Sequence, residues 1–117
     1  MTIETFEYRD KVSYSDEKAC KIVLTECAHA RTTLWCLKPG QHIHPHVHAG
    51  DHVWIVLEGQ GLFLSEGRAE QPITPGTILS APAGISHGVE NNGSEGLVFA
   101  SISAARRLAR PRFVSLG

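Results

Sequence analysis

The stretch Gly40–Gly59, GQHIHPHVHAGDHVWIVLEG, decides how this chain is read. It holds five of the seven histidines, His42, His44, His46, His48 and His52. It follows the turn residues Lys38-Pro39 and ends in the apolar run His52–Leu57, closed by Glu58-Gly59. A short β-branched and aromatic run bounded by turn residues reads as a strand. In a strand, residues i and i+2 face the same side, so His46 and His48 point at one centre. His52 opens the next strand. By the same alternation His42 and His44 share that face. Pro45 makes strict parity doubtful, so they are read as exposed loop histidines, with a second weak metal site as the alternative.

Outward from this stretch the pattern stays β. Strand-like runs occupy Lys21–Thr25, Thr32–Leu37, Gly61–Ser65, Thr77–Ser80, Ser86–Asn91 and Leu97–Ile102. Glu66-Gly67 suggests a hairpin, and Asn92-Gly93 is a strong hairpin-turn signal. A single short helix is expected near the C-terminus, with Ser103 capping Ala104–Arg110 and Pro111 stopping it. Many short strands in a small chain predict a β-sandwich or barrel. No βαβ rhythm, internal repeat or linker is visible.

The chain has 117 residues, which predicts one domain over 1–117. Its 11 basic and 12 acidic residues give a net charge of -1, unlike a general nucleic-acid binder. No apolar run reaches the roughly 18 residues of a membrane span. No signal peptide is readable in MTIETFEYRDK, so a cytoplasmic location is expected. There Cys20, Cys27 and Cys36 are expected as reduced thiols with no metal or redox role, Cys36 packing in the core. His29 is assigned no role. The cluster Arg106, Arg107, Arg110 and Arg112 reads as a solvated helix end, with an anion- or partner-binding tail as the alternative.

Two spaced motifs carry a family resemblance. Gly40-x5-His46-x-His48-x3-His52-x6-Gly59, residues 40–59, resembles the first motif of the cupins, with His52 where the family usually has Glu. Gly76-x5-Pro82-x-Gly84-x2-His87-x3-Asn91, residues 76–91, is similar to the second motif at every position. The resemblance implies an all-β, double-stranded β-helix (jelly-roll) barrel. It implies one divalent transition metal held by His46, His48, His52 and His87, an all-histidine variant of the family site. It also implies a homodimer, as small cupins commonly pair; uncovered strand edges point the same way.

Neutral imidazoles suit Fe, Mn, Ni, Cu or Zn, and the sequence does not choose among them. Four of them cancel none of the ion's charge, which favours a small anionic ligand or substrate such as an enolate or 2-oxo acid. The reading is therefore a mononuclear, dioxygenase-like enzyme acting on a small oxygenated organic anion. A non-catalytic small-molecule or metal-sensing module is the second reading, and a sugar or uronate isomerase the third. An isomerase needs an acid–base partner, and Asp51, Glu58 and Glu90 are each read as structural or solvated. Trp35, Trp54, Phe63 and Phe99 are expected to line core or pocket.

Overall fold

The computed structural model describes residues 2–104. Among them nine strands follow in order: β1 (Cys20–Glu26), β2 (Ala30–Leu37), β3 (His42–His46), β4 (Asp51–Glu58), β5 (Gly61–Leu64), β6 (Gln71–Ile73), β7 (Ile78–Ala81), β8 (His87–Glu90) and β9 (Leu97–Ala104). One antiparallel sheet has the order β1-β2-β9-β4-β7 and the other β3-β8-β5-β6. The chain crosses repeatedly between the sheets, which is the winding of a double-stranded β-helix.

β2 shows why the run TTLWCL is apolar on both faces. Leu37 belongs to the cluster between the sheets with Trp54, Val56, Ile73, Val89, Leu97 and Phe99, and Trp35 packs against it. Leu34 and Cys36 point the other way, join Val98, and are covered by Tyr8 and Val12 of the N-terminal segment. That segment includes a 3₁₀ turn at Tyr8–Lys11 and is tied down where the Tyr8 hydroxyl donates to Glu58 Oε2 at 2.9 Å. A strand covered on both faces loses the polar alternation of a half-exposed one. All three cysteines are free thiols, and burial pushes the Cys36 thiol up.

Two sequence expectations need correction. Asn92-Gly93 does not close a hairpin, because β8 and β9 lie in different sheets. The fully buried Asn91 instead shapes this crossing: its Nδ2 donates to Leu37 O and Glu95 O, and its Oδ1 accepts from Gly93 N. Nor does the expected helix begin at Ala104. Ser103 and Ala104 end β9, where Ser103 is the register partner of both Arg31 and His52, so its backbone is engaged by the ladder. The remainder of the expected helix, and the arginine cluster, lie outside the described residues. No helix among the described residues is long and apolar enough to cross a membrane.

Candidate metal centre

β3 runs down the edge of its sheet with Ile43 and Pro45 half-buried and His42, His44 and His46 exposed. Its pairing with β8 slips between Ile43 and His46, beside Pro45, which has no N–H for the ladder. β3 ends at His46, so His48 is on the following loop. The loop is held over the barrel mouth by two hydrogen bonds from the second motif. Gly84 N donates to His48 O at 3.0 Å, and Ala83 N donates to Asp51 Oδ1 at 2.9 Å. Gly84 has φ 84°, the left-handed region that favours glycine. The turn then feeds His87 into β8. Gly88 is needed there because β3 passes so close: an added Cβ would lie 2.6 Å from Pro45 N.

His48, His52 and His87 converge, each offering one nitrogen, with the three within 4.8 Å of one another. Their ring centroids are 4.6 Å (His48–His52), 4.9 Å (His48–His87) and 4.8 Å (His52–His87) apart. His46 is outside this group. Its ring centroid is 6.4 Å from that of His48, and its Cα is the register partner of His87, which places it at the rim beside the cluster. His42 and His44 form a separate exposed pair, their Nε2 atoms 3.0 Å apart.

His87 is only 3% exposed. Its Nδ1 lies 3.1 Å from Ile85 O, a contact made by donating an N–H to that carbonyl. This fixes the tautomer and leaves a lone pair on Nε2, which is buried with no hydrogen-bond partner among the described residues. A buried polar atom with no partner is costly, and a metal ion is one group that satisfies an imidazole lone pair so placed. Burial holds the His87 pKa below the usual histidine range, and His48 and His46 add to this. Burial, with His87 and His48 next, pushes His52 down to about 4 even though Asp51 opposes it. Both rings are therefore neutral at pH 7, the form that binds metal. The donor set fits a divalent transition ion, which bonds imidazole nitrogens at about 2.0–2.1 Å in the case of zinc.

The cluster forms one wall of a cavity of about 230 Å³, whose other walls include Trp35, Trp54, Thr33, Ser101 and Arg31. Of the aromatic residues expected to line core or pocket, Trp35 and Trp54 line this cavity, while Phe63 and Phe99 pack in the core. Among the described residues lining it there is no carboxylate. Asp51 and Glu58 are engaged in the hydrogen bonds given above, and Glu90 is paired within its sheet opposite His42 and Leu62. Lys21 and Arg31, both on the cavity wall, were missed in the sequence. Nothing in their local spacing marks them, because strand register alone brings them there.

The cupin-domain family profile matches residues 33–103. The chain belongs to the cupin family. Solved structures agree. An uncharacterized conserved protein with a double-stranded β-helix domain from Klebsiella pneumoniae is 28% identical, with a TM-score of 0.83 over 88% of this chain and 90% of its own. The TT1209 protein from Thermus thermophilus is 31% identical, with a TM-score of 0.83 over 90% of this chain and 100% of its own. Among curated proteins, the acireductone dioxygenases of two Rhodopseudomonas palustris strains are 33% identical over 73 residues, 60% of this cupin. This cupin aligns with only 38% of their length.

Proposed function

We propose that this cupin binds one divalent transition metal through His48, His52 and His87, with His46 joining from the rim, and catalyses dioxygen-dependent oxidation of a small oxygenated organic anion. The observation that carries the reading is the buried, tautomer-fixed Nε2 of His87 facing two further imidazoles. The similarity to proteins named acireductone dioxygenase supports the substrate class, since a reductone is an acidic ene-diol with two adjacent oxygens able to chelate. When bound, the ion supplies a Lewis-acid centre and, if redox-active, a route for electrons to dioxygen. The chain's own part is to keep His52 and His87 neutral, to hold the His87 ring through Ile85 O, and to wall the site with Trp35 and Trp54 against bulk water. A substrate that arrives already as an anion needs no general base, in keeping with a cavity that no carboxylate lines among the described residues. That same feature leaves the isomerase reading unsupported.

The test is metal analysis of natively purified protein, then oxygen uptake against ene-diols, β-diketones and flavonols. Uptake that disappears in His48→Ala supports the enzyme. A metal-bound protein that consumes no oxygen with any of them favours the binding or sensing module. We also propose a homodimer in the cytoplasm. Among the described residues the five-stranded sheet ends in two edge strands, β1 and β7, where Val23 and Ile78 are 47% and 68% exposed. Light scattering at micromolar concentration tests the dimer, and a monomer mass contradicts it.

A further inference from the structure

The sheet register places a cation at a fixed distance from the imidazole cluster. His52 on β4, Ser103 on β9 and Arg31 on β2 are consecutive register partners. Residues directly opposite one another project from the same face of a sheet. Arg31 therefore stands on the cavity face in the same row as His52, two strands and about 10 Å away between Cα atoms. The next row inward is Trp54, Ser101 and Thr33, again consecutive partners. Thr33 and Ser101 are 4% and 5% exposed, and the buried Nε1 of Trp54 has no hydrogen-bond partner among the described residues. The floor between the two ends thus carries the hydroxyl residues Thr33 and Ser101, able to donate to oxygen atoms.

Apart from the histidines, the only ionisable side chains lining this cavity, among the described residues, are Arg31 and Lys21, both cationic. Lys21 is less well placed. It pairs with Trp35, four residues further along β2 than Arg31, and its ammonium sits 5.8 Å from the Trp35 ring centroid. Arg31 is paired through Nη2 with Glu26, its register partner on β1 and the next residue of the row. The two side chains are 43% and 58% exposed, so the pair is screened and weak, and a guanidinium carries five N–H donors, more than Glu26 takes up.

Resting on the metal-binding reading above, we infer that Arg31 is a specificity-determining residue, and that the cavity selects a small acid bearing two groups: a chelating oxygen pair for the metal end and a second anionic group, such as a carboxylate, for Arg31. The hydroxyl floor accepts the polar atoms between them. A guanidinium holds a carboxylate by paired, charge-assisted hydrogen bonds, which a neutral tail of the same size cannot make.

Two hydroxamates test this, since they share a chelating head and differ only at the far end. Butyrohydroxamate ends in a methyl group, and succinic acid monohydroxamate ends in a carboxylate. Their affinities are measured by calorimetry on Zn²⁺-loaded protein, with zinc stoichiometry determined first. The wild type should prefer the carboxylate-bearing probe by about tenfold. Arg31→Gln should bring that ratio close to one while leaving zinc content and butyrohydroxamate affinity unchanged, and Arg31→Lys should restore part of it. A ratio near one in the wild type, or a preference that survives in Arg31→Gln and disappears in Lys21→Gln, overturns the assignment while leaving the metal site intact. A wild-type protein that holds no zinc overturns the metal reading itself, and this inference with it.

Discussion

The backbone N–H of Gly84 donates to the carbonyl oxygen of His48 at 3.0 Å, and through that bond the second motif sets the position of the first. Gly84 turns the chain toward His87, and the donor it presents on the way holds the loop carrying His48. Ala83 N and Asp51 Oδ1 make a parallel tether one residue away on the turn.

Gly84→Ala should therefore weaken metal binding without touching a ligand. No atom of the described residues lies within 4 Å of the added Cβ, so the effect is conformational and not a clash. Holding a side-chain-bearing residue in the left-handed region costs about 1–2 kcal/mol. In a domain of this size that lowers the melting temperature by about 3–6 °C for each kcal/mol. Thermal melting and zinc titration of the variant check both effects. A variant with wild-type melting and wild-type affinity would show that the turn is not constrained.

The pH dependence follows from the buried imidazoles. His52, pushed to about 4, and His87, also lowered, take up protons less readily in the folded chain than in the unfolded one. An unfolded histidine titrates near 6.5. Below that pH the unfolded state binds more protons, so folding stability is fully present above about 6.5 and is lost as pH falls toward 4. The metal-free protein should melt at progressively lower temperature from pH 7 to pH 5, and His52→Gln should flatten the slope. A melting temperature that does not change over this range would contradict the burial of these rings.

Position 52 carries the departure from the usual cupin carboxylate. His52→Glu should still hold metal, because a carboxylate is a good ligand at that vertex. It brings one negative charge to the ion, lowers its pull on anions, and raises the pKa of a metal-bound water. Acetylacetonate should bind the variant more weakly than the wild type at matched metal occupancy. Equal affinities would remove the case that the all-histidine set serves to hold an anion.

The fold was legible because the two motifs carry their own turns. Gly40, Gly59, Gly76 and Gly84 all have positive φ, so the spacing between them fixes strand lengths. The clustering of His52 and His87 follows from that spacing. The difference between His46 and His48 does not. Alternation put them on one face, but β3 ends at His46 and its register slips near Pro45, so only His48 swings into the cluster. Asn92-Gly93 misled for a related reason: its turn chemistry is local, while its role depends on which sheet each neighbouring strand joins. Arg31 was invisible because its place across the cavity from the metal end is set by β2–β9–β4 register, a relation between residues 31, 103 and 52 that no local pattern contains.

One divalent ion held by His48, His52 and His87 is the centre of this reading of the molecule. Its most direct test is metal content per chain by mass spectrometry in the natively purified wild type, His48→Ala, His46→Ala and His44→Ala. About one equivalent is expected in the wild type, most of it lost in His48→Ala, since the removal of one ligand greatly weakens a chelate. Partial loss is expected in His46→Ala and nearly unchanged content in His44→Ala. Equal loss in the His44 and His48 variants, or a wild type that carries no metal even after incubation with zinc, would contradict it.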